Sequence, residues 1–329
     1  MRRVIRRVRT EGFTPKEFKS ICWAALVLLC IICVSGAAVR LTGSGLGCDD
    51  WPNCNDAKLV DFSSGHATIE QVNRLFTFLV CIGVALAAAA GWYRRPRRKD
   101  LLVLGFVLLA GVPMQGVVGA IVVWADLHPA TVLLHFVLSM ILVWAAVMML
   151  VRSGEPDGGD RVPAVVPRIR RRVQLLSVFT WITVFAGTIV TGTGPHAGDE
   201  AARRFFGTTT VVDGVEVEAV NGDALSWVSR IHGLIVWVTV LIALSLLWSL
   251  RRLRHDRKVL DGPLTAWILV AAVQGTIGYV QYAAGLPAGM VLVHVAGATT
   301  LMAVTAWLWC STSRVNVTAD ELVAHAERA

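Results

Sequence analysis

Apolar residues dominate eight stretches of the chain, each closed off by charged or turn-forming positions. They fall at roughly 20–39, 72–93, 101–124, 130–151, 173–193, 227–249, 264–284 and 289–310. A helix needs about 20 such residues to cross a hydrocarbon core of about 30 Å, and each stretch is long enough. The pattern predicts an all-α polytopic membrane protein with eight transmembrane helices. Between the fourth and fifth stretches, RSGEPDGGDRVPAVVPRIRRR (152–172) mixes Gly, Pro and charge without an apolar period, which predicts a connecting segment. Between the fifth and sixth, TTTVVDGVEVEAV sets β-branched runs on either side of Asp213-Gly214, the signature of a β-hairpin. The tail 311–329 reads as a short amphipathic or disordered end.

Composition agrees with a membrane setting: 55% of residues are hydrophobic and only 16% charged. Charge placement adds orientation. The N-terminus, the run RRPRRK at 94–99, the 152–172 connection, the run RRLRHDRK at 251–258 and the tail hold 25 of the 31 Lys and Arg. The opposite loops hold four: Arg40, Lys58, Arg203 and Arg204. By the positive-inside rule both termini are cytoplasmic, with loops 40–70 and 194–225 outside; the expected location is a prokaryotic plasma membrane. The formal charge of +8 is thus a topology signal, and no nucleic-acid partner is expected. Glu11, Glu17 and the span that follows at once read as an anchor that stays, not as a transit peptide.

The chain is duplicated. Gln115-Gly116-x-x-Gly119 followed by His135 recurs as Gln274-Gly275-x-x-Gly278 followed by His294, with the same spacing between second glycine and histidine in both copies. The same offset carries Asn73 onto His232 and Glu70 onto Ser229. A weaker echo, at a shorter offset, matches Thr42-Gly43-Ser44-Gly45 to Thr191-Gly192-Thr193-Gly194. Each half has an even number of spans, so the copies share one orientation about an axis along the membrane normal. The expected division is an N-terminal half 1–151, a linker 152–172, a C-terminal half 173–310 and a tail 311–329.

Ionisable groups inside the spans are few: His135, His232 and His294, with Glu70, Arg74 and Arg230 at the rim. Such groups are costly in lipid and mark function; a lone histidine also serves as an interhelical hydrogen bond or a proton relay. His135 and His294 lie shortly beyond Pro129 and Pro287, about 9–10 Å deep at about 1.5 Å of rise per residue. His232 and His294 thereby suit one iron held between two imidazoles. Zinc is the rival, but it wants four ligands and thiolates that lie elsewhere. Paired glycines one turn apart leave room either for a flat macrocycle or for close helix packing. Cys48 and Cys54, in an outer loop, read as a local disulfide staple or a redox pair; Cys22, Cys30, Cys33, Cys81 and Cys310 read as packing residues. Trp23, Trp92, Trp124, Trp248 and Trp309 read as an interfacial belt.

GSGLGCDDWPNC after the first span, Glu70-x-x-Asn73-Arg74 in the second, QGxxG in the third and seventh and TGTGPHAGD after the fifth together resemble the haem A synthase family. That resemblance covers all eight spans and implies two four-helix bundles that oxidise a ring methyl of haem O to a formyl group. It implies a haem B cofactor between His232 and His294, a substrate haem on His135, a catalytic role for Glu70 and pairing of Cys48 with Cys54. It also implies haem O as substrate, supplied by a haem O synthase, and an electron acceptor the sequence does not identify; a homo-oligomer is left open. Arg74 and Arg230 are candidate propionate partners or interfacial anchors. One position departs from the family, which has a second histidine where this chain has Asn73. His66 is the nearest spare imidazole, on the face of Asn73 if the second helix reaches back that far. The competing function is a dihaem, quinol-linked electron-transfer protein that modifies no haem; a transporter would show broken helices and midplane polar residues that the spans lack.

Overall fold

The computed structural model describes residues 7, 10–48, 50–198, 203–212 and 215–316. It contains eight helices long and apolar enough to cross a membrane: α1 (Pro15–Leu41), α2 (Gly65–Tyr93), α3 (Lys99–Trp124), α4 (Pro129–Ser153), α5 (Pro167–Thr193), α6 (Gly222–Leu250), α7 (Arg254–Ala283) and α8 (Ala288–Cys310). The chain is an all-α polytopic membrane protein.

Local chemistry fixes the helix starts. Thr14 caps α1 in a reciprocal box with Glu17, with Pro15 in the first turn. Ser64 accepts from the Ala67 amide at α2, and Asn221 from Ala224 at α6. Two helices begin well before their apolar runs. α2 starts at Gly65, so His66 and Glu70 are helical; α7 starts at Arg254, so most of the basic 251–258 run is helix rather than loop. Hydropathy could not reveal these turns, because they project charged residues past the apolar slab while keeping helical hydrogen bonds.

In the first half, α1 packs on α2, α2 on α3, α3 on α4, and α4 returns to α1. In the second, α5 packs on α6, α7 on α8 and α8 on α5, but α6 and α7 touch only sparsely. Across that thin seam Trp237 Nε1 donates to Tyr279 Oη at 2.9 Å. The halves join through α4 on α8, α1 on α8 and α4 on α5. One core runs across the junction, burying Met140, Val143 and Ala146 with Met302 and Ala306. Trp144 packs there against Trp181 in a tilted contact (ring centroids 5.9 Å apart) and edge-on against Trp309 (6.1 Å). Trp309 therefore belongs to the inter-half packing and not to an interfacial belt, whereas Trp23, Trp92, Trp124 and Trp248 are exposed.

The arginine-rich face is more ordered than its composition suggests. Within the 152–172 connection a strand β1 (Asp160–Pro163) pairs antiparallel with a strand β4 (Ser313–Asn316) from the tail. Arg94, 1% exposed, holds Asp157 at 2.8 Å, and Arg98 pairs with Asp100 at 2.8 Å. The connecting segment and the tail, expected to be a linker and a short amphipathic or disordered end, thus each contribute a strand; residues 317–329 lie outside the described set. On the opposite face β2 (Thr208–Val212) and β3 (Val215–Ala219) form the expected hairpin, Thr208 facing Ala219. Its turn, Asp213-Gly214, lies outside the described residues.

Candidate functional site

A cavity of about 1480 Å³ opens among the helices, walled by residues of both halves. Ligand pockets commonly measure roughly 300–1,000 Å³, so this one has room for more than one small-molecule guest. His135 on α4, His232 on α6 and His294 on α8 all line it. His232 and His294 belong to the same half of the chain, and His135 to the other. Among the described residues, the Nδ1 atoms of all three are buried without a hydrogen-bond partner. Orphaned ring nitrogens in an apolar wall are costly unless a ligand completes them.

The duplicated glycines resolve into two jobs. A Cβ at Gly116 or Gly275 would meet nothing within 4 Å, so both positions open onto free space rather than onto a packed helix. A Cβ at Gly119 would sit 3.6 Å from His135 Cε1, and one at Gly278 3.2 Å from His294 Cε1. A Cβ at Gly119 would make only ordinary contact, whereas Gly278 lets the His294 ring lie close along the neighbouring helix. Gly187 on α5 does the same for His232, at 3.2 Å. It lies shortly before Thr191, outside the sequence echo, and nothing in the sequence marks its contact with the ring.

The matched geometry of the halves extends to the glutamines. Gln115 Nε2 donates to the His135 carbonyl at 3.1 Å, and Gln274 Nε2 to the His294 carbonyl at 2.9 Å. Each glutamine thus ties the third helix of its half to the backbone of the histidine on the fourth. The repeat marked these residues, but a side-chain bond to a main-chain carbonyl leaves no pattern from which to name the role.

Asn73 stands in the cavity wall where the second half has His232. Its Oδ1 accepts from Ser35 Oγ of α1 at 2.7 Å, so the amide oxygen is engaged by protein. His66 does not compensate. Its Nδ1 meets Ser44 Oγ at 2.9 Å, it is exposed, and it is absent from the cavity wall. The helix does reach back to His66, but the loop after α1 captures the ring first.

That loop contains the disulfide between Cys48 and Cys54. It is clamped to α2 by two side chains one turn apart. Glu70, 5% exposed, accepts from the Cys48 amide at 2.8 Å and from Arg74 Nη2 at 2.6 Å. Arg74 also donates to the carbonyls of Asp50 (3.1 Å) and Asn53 (3.0 Å). Gly47 permits the close approach, since a Cβ there would lie 2.5 Å from the His66 carbonyl. Glu70 and Arg74 both border the cavity, but Arg74 spends its donors on the loop and the glutamate. Arg230 borders it too and is exposed. The free cysteines Cys22, Cys33 and Cys310 are buried in helix packing.

The residues present fit iron porphyrin. Imidazoles with unpartnered nitrogens face an apolar void, with glycines beside each ring. Among the described residues no three His, Cys, Asp or Glu side chains converge on a point, as a bare ion would need.

Eight spanning helices around an apolar cavity, walled by imidazoles in matching positions, define an internally duplicated membrane protein with histidine-lined bundles. The family model described as COX15-CtaA, cytochrome oxidase assembly protein, matches residues 19–66 and 59–305, and the chain belongs to that family. Its relatives include proteins named haem A synthase. That of Listeria welshimeri is 24% identical over 307 residues, covering 91% of this chain and 97% of its own length. That of Bacillus cereus strain G9842 is 26% identical over 311 residues, covering 91% and 95%.

Proposed function

We propose that this chain is a haem A synthase of a bacterial plasma membrane, converting haem O to haem A. The observation that carries the reading is the pair of matching imidazole sites, His135 in one half and His232 with His294 in the other, on one cavity of a chain in this family. On this reading the first half, 1–151, takes the substrate and the second, 173–310, a resident haem B. The arginine-rich face is cytoplasmic, and the disulfide loop and hairpin are outside.

Haem B between His232 and His294 would supply one-electron redox chemistry near the substrate. Substrate iron rests on His135 alone, because Asn73 turns its oxygen to Ser35. A single protein ligand suits a molecule that must arrive and depart. The methyl carbon is oxidised in two stages, each taking oxygen from water and releasing two electrons and two protons, through an alcohol to an aldehyde hydrate, which loses water to give the formyl group. Glu70 is held as an acceptor by Arg74 and the Cys48 amide. That fixed negative charge serves to stabilise a cationic carbon or to take a proton from attacking water. Gln115 and Gln274 keep the histidine-bearing helices in place. Haem O comes from a haem O synthase, and the electrons leave to an acceptor.

The test is haem extraction from cells that make haem O, with and without this protein: a formylated pigment appears only with it. Glu70→Ala should abolish that pigment while bound haem B persists, and normal output would remove the catalytic assignment. A second reading, a dihaem conduit without haem modification, draws on one observation: Glu70 and the disulfide loop form a structural clamp that a conduit could also use. Loss of haem A from the Glu70→Ala protein with its loop still protected from protease decides between them.

A further inference from the structure

Arg40 is the penultimate residue of α1, half-buried in the cavity wall. Its Nε and Nη2 both donate to one acceptor, the Ala197 carbonyl, at 3.0 and 2.8 Å. A guanidinium carries five N–H donors, so three have no protein partner among the described residues. No carboxylate among those residues pairs with it, although the arginines of the other face, Arg94, Arg98 and Arg161, each hold one. An arginine at the end of a spanning helix, facing an apolar void, is costly without a counter-charge.

Its position says where that counter-charge comes from. Ala197 belongs to the loop after α5, so Arg40 reaches from the first half to a carbonyl of the second. α1 packs on both α4 and α8, the helices of His135 and His294. The loop that supplies Ala197 is itself braced, because His196 Nε2 lies 2.7 Å from the Leu286 carbonyl ahead of α8. Arg40 is thus a cation fixed in direction, at the seam of the halves, on the end of the cavity nearer the disulfide loop. Arg74, by contrast, is committed to Glu70 and the loop carbonyls.

We propose that Arg40 is the carboxylate-binding residue of the cavity, receiving a propionate of a porphyrin held by iron on imidazole, with the Ala197 carbonyl orienting the guanidinium. This rests on the porphyrin reading above and moves the propionate contact away from Arg74. Arg40 is a binding residue here, and its role is read without turnover.

The experiment titrates full-length protein, produced in a haem-deficient host, with two probes: ferric protohaem and its dimethyl ester, which lacks both carboxylates. The wild type should bind the free acid about tenfold or more tightly than the ester, the scale of a hydrogen bond to a charged group. Arg40→Gln should lose that preference by weakening the acid alone, and Arg40→Lys should keep part of it. Equal binding of both probes by the wild type, or an undiminished preference in Arg40→Gln or a complete loss in Arg40→Lys, overturns the assignment of Arg40. If neither probe binds the wild type, the porphyrin reading itself fails, which is a separate result.

Discussion

At the scale of single residues, the cavity is shaped by what is missing from its walls. Gly278 and Gly275 lie one turn apart on α7, yet their environments differ. A side chain at Gly278 must displace the His294 ring, whereas one at Gly275 enters open space. Gly278→Leu should therefore strip the second-half pigment and destabilise the bundle by about 1–3 kcal/mol through overpacking. Gly275→Ala should leave folding untouched. Absorption spectra and melting curves of the two variants check this, and equal losses from both would contradict the division of labour.

A second residue-scale consequence concerns pH. The Lys58 ammonium, at 3.2 Å, and then Ser63 hold the Asp61 carboxyl below its usual range. A folded value lower than the unfolded one gives stability that is complete above the ordinary carboxylate pKa of about 4. That stability is lost as pH falls through the folded value. Cleavage of the 55–63 segment by an acid-active protease should rise only below about pH 4, and Asp61→Asn should flatten the profile while raising cleavage near neutrality.

At the scale of elements, the disulfide loop and α2 behave as one unit. Cys48→Ser with Cys54→Ser removes a short loop closure, an effect of about 2 kcal/mol. It should expose the 48–61 segment to protease and lower the melting temperature while leaving the helix content intact. An unchanged melting temperature would mean that the clamp of Glu70 and Arg74 holds the loop by itself. The elements also mark the limit of what the sequence makes legible. All eight spans follow from hydropathy, because a bilayer requires a long apolar run whatever its neighbours are. The histidine positions follow from the repeat. Charged extensions such as 65–71 and 254–263 do not, since they continue a helix beyond the apolar slab. Pairing of Asp160–Pro163 with Ser313–Asn316 joins the linker to the tail across the whole second half, a separation over which such short strands leave no pattern. The fate of His66 depended on a competitor, Ser44, that only the folded loop brings near.

At the scale of the molecule, the halves are joined by more than their linker. α4 and α1 pack on α8, the tryptophan cluster crosses the junction, and the β1–β4 ribbon closes the arginine-rich face. A chain opened between Gly158 and Gly159 and expressed as two pieces should still co-purify as one complex in detergent; separate elution would show that the peptide linkage does the joining. The shared void has a further consequence. Since residues of both halves wall it together, a guest on His135 and a guest between His232 and His294 would share a boundary, and whichever settled first would narrow the space left to the other. On that reading the order of arrival would matter to loading, much as it does for nested parts fitted through a common doorway.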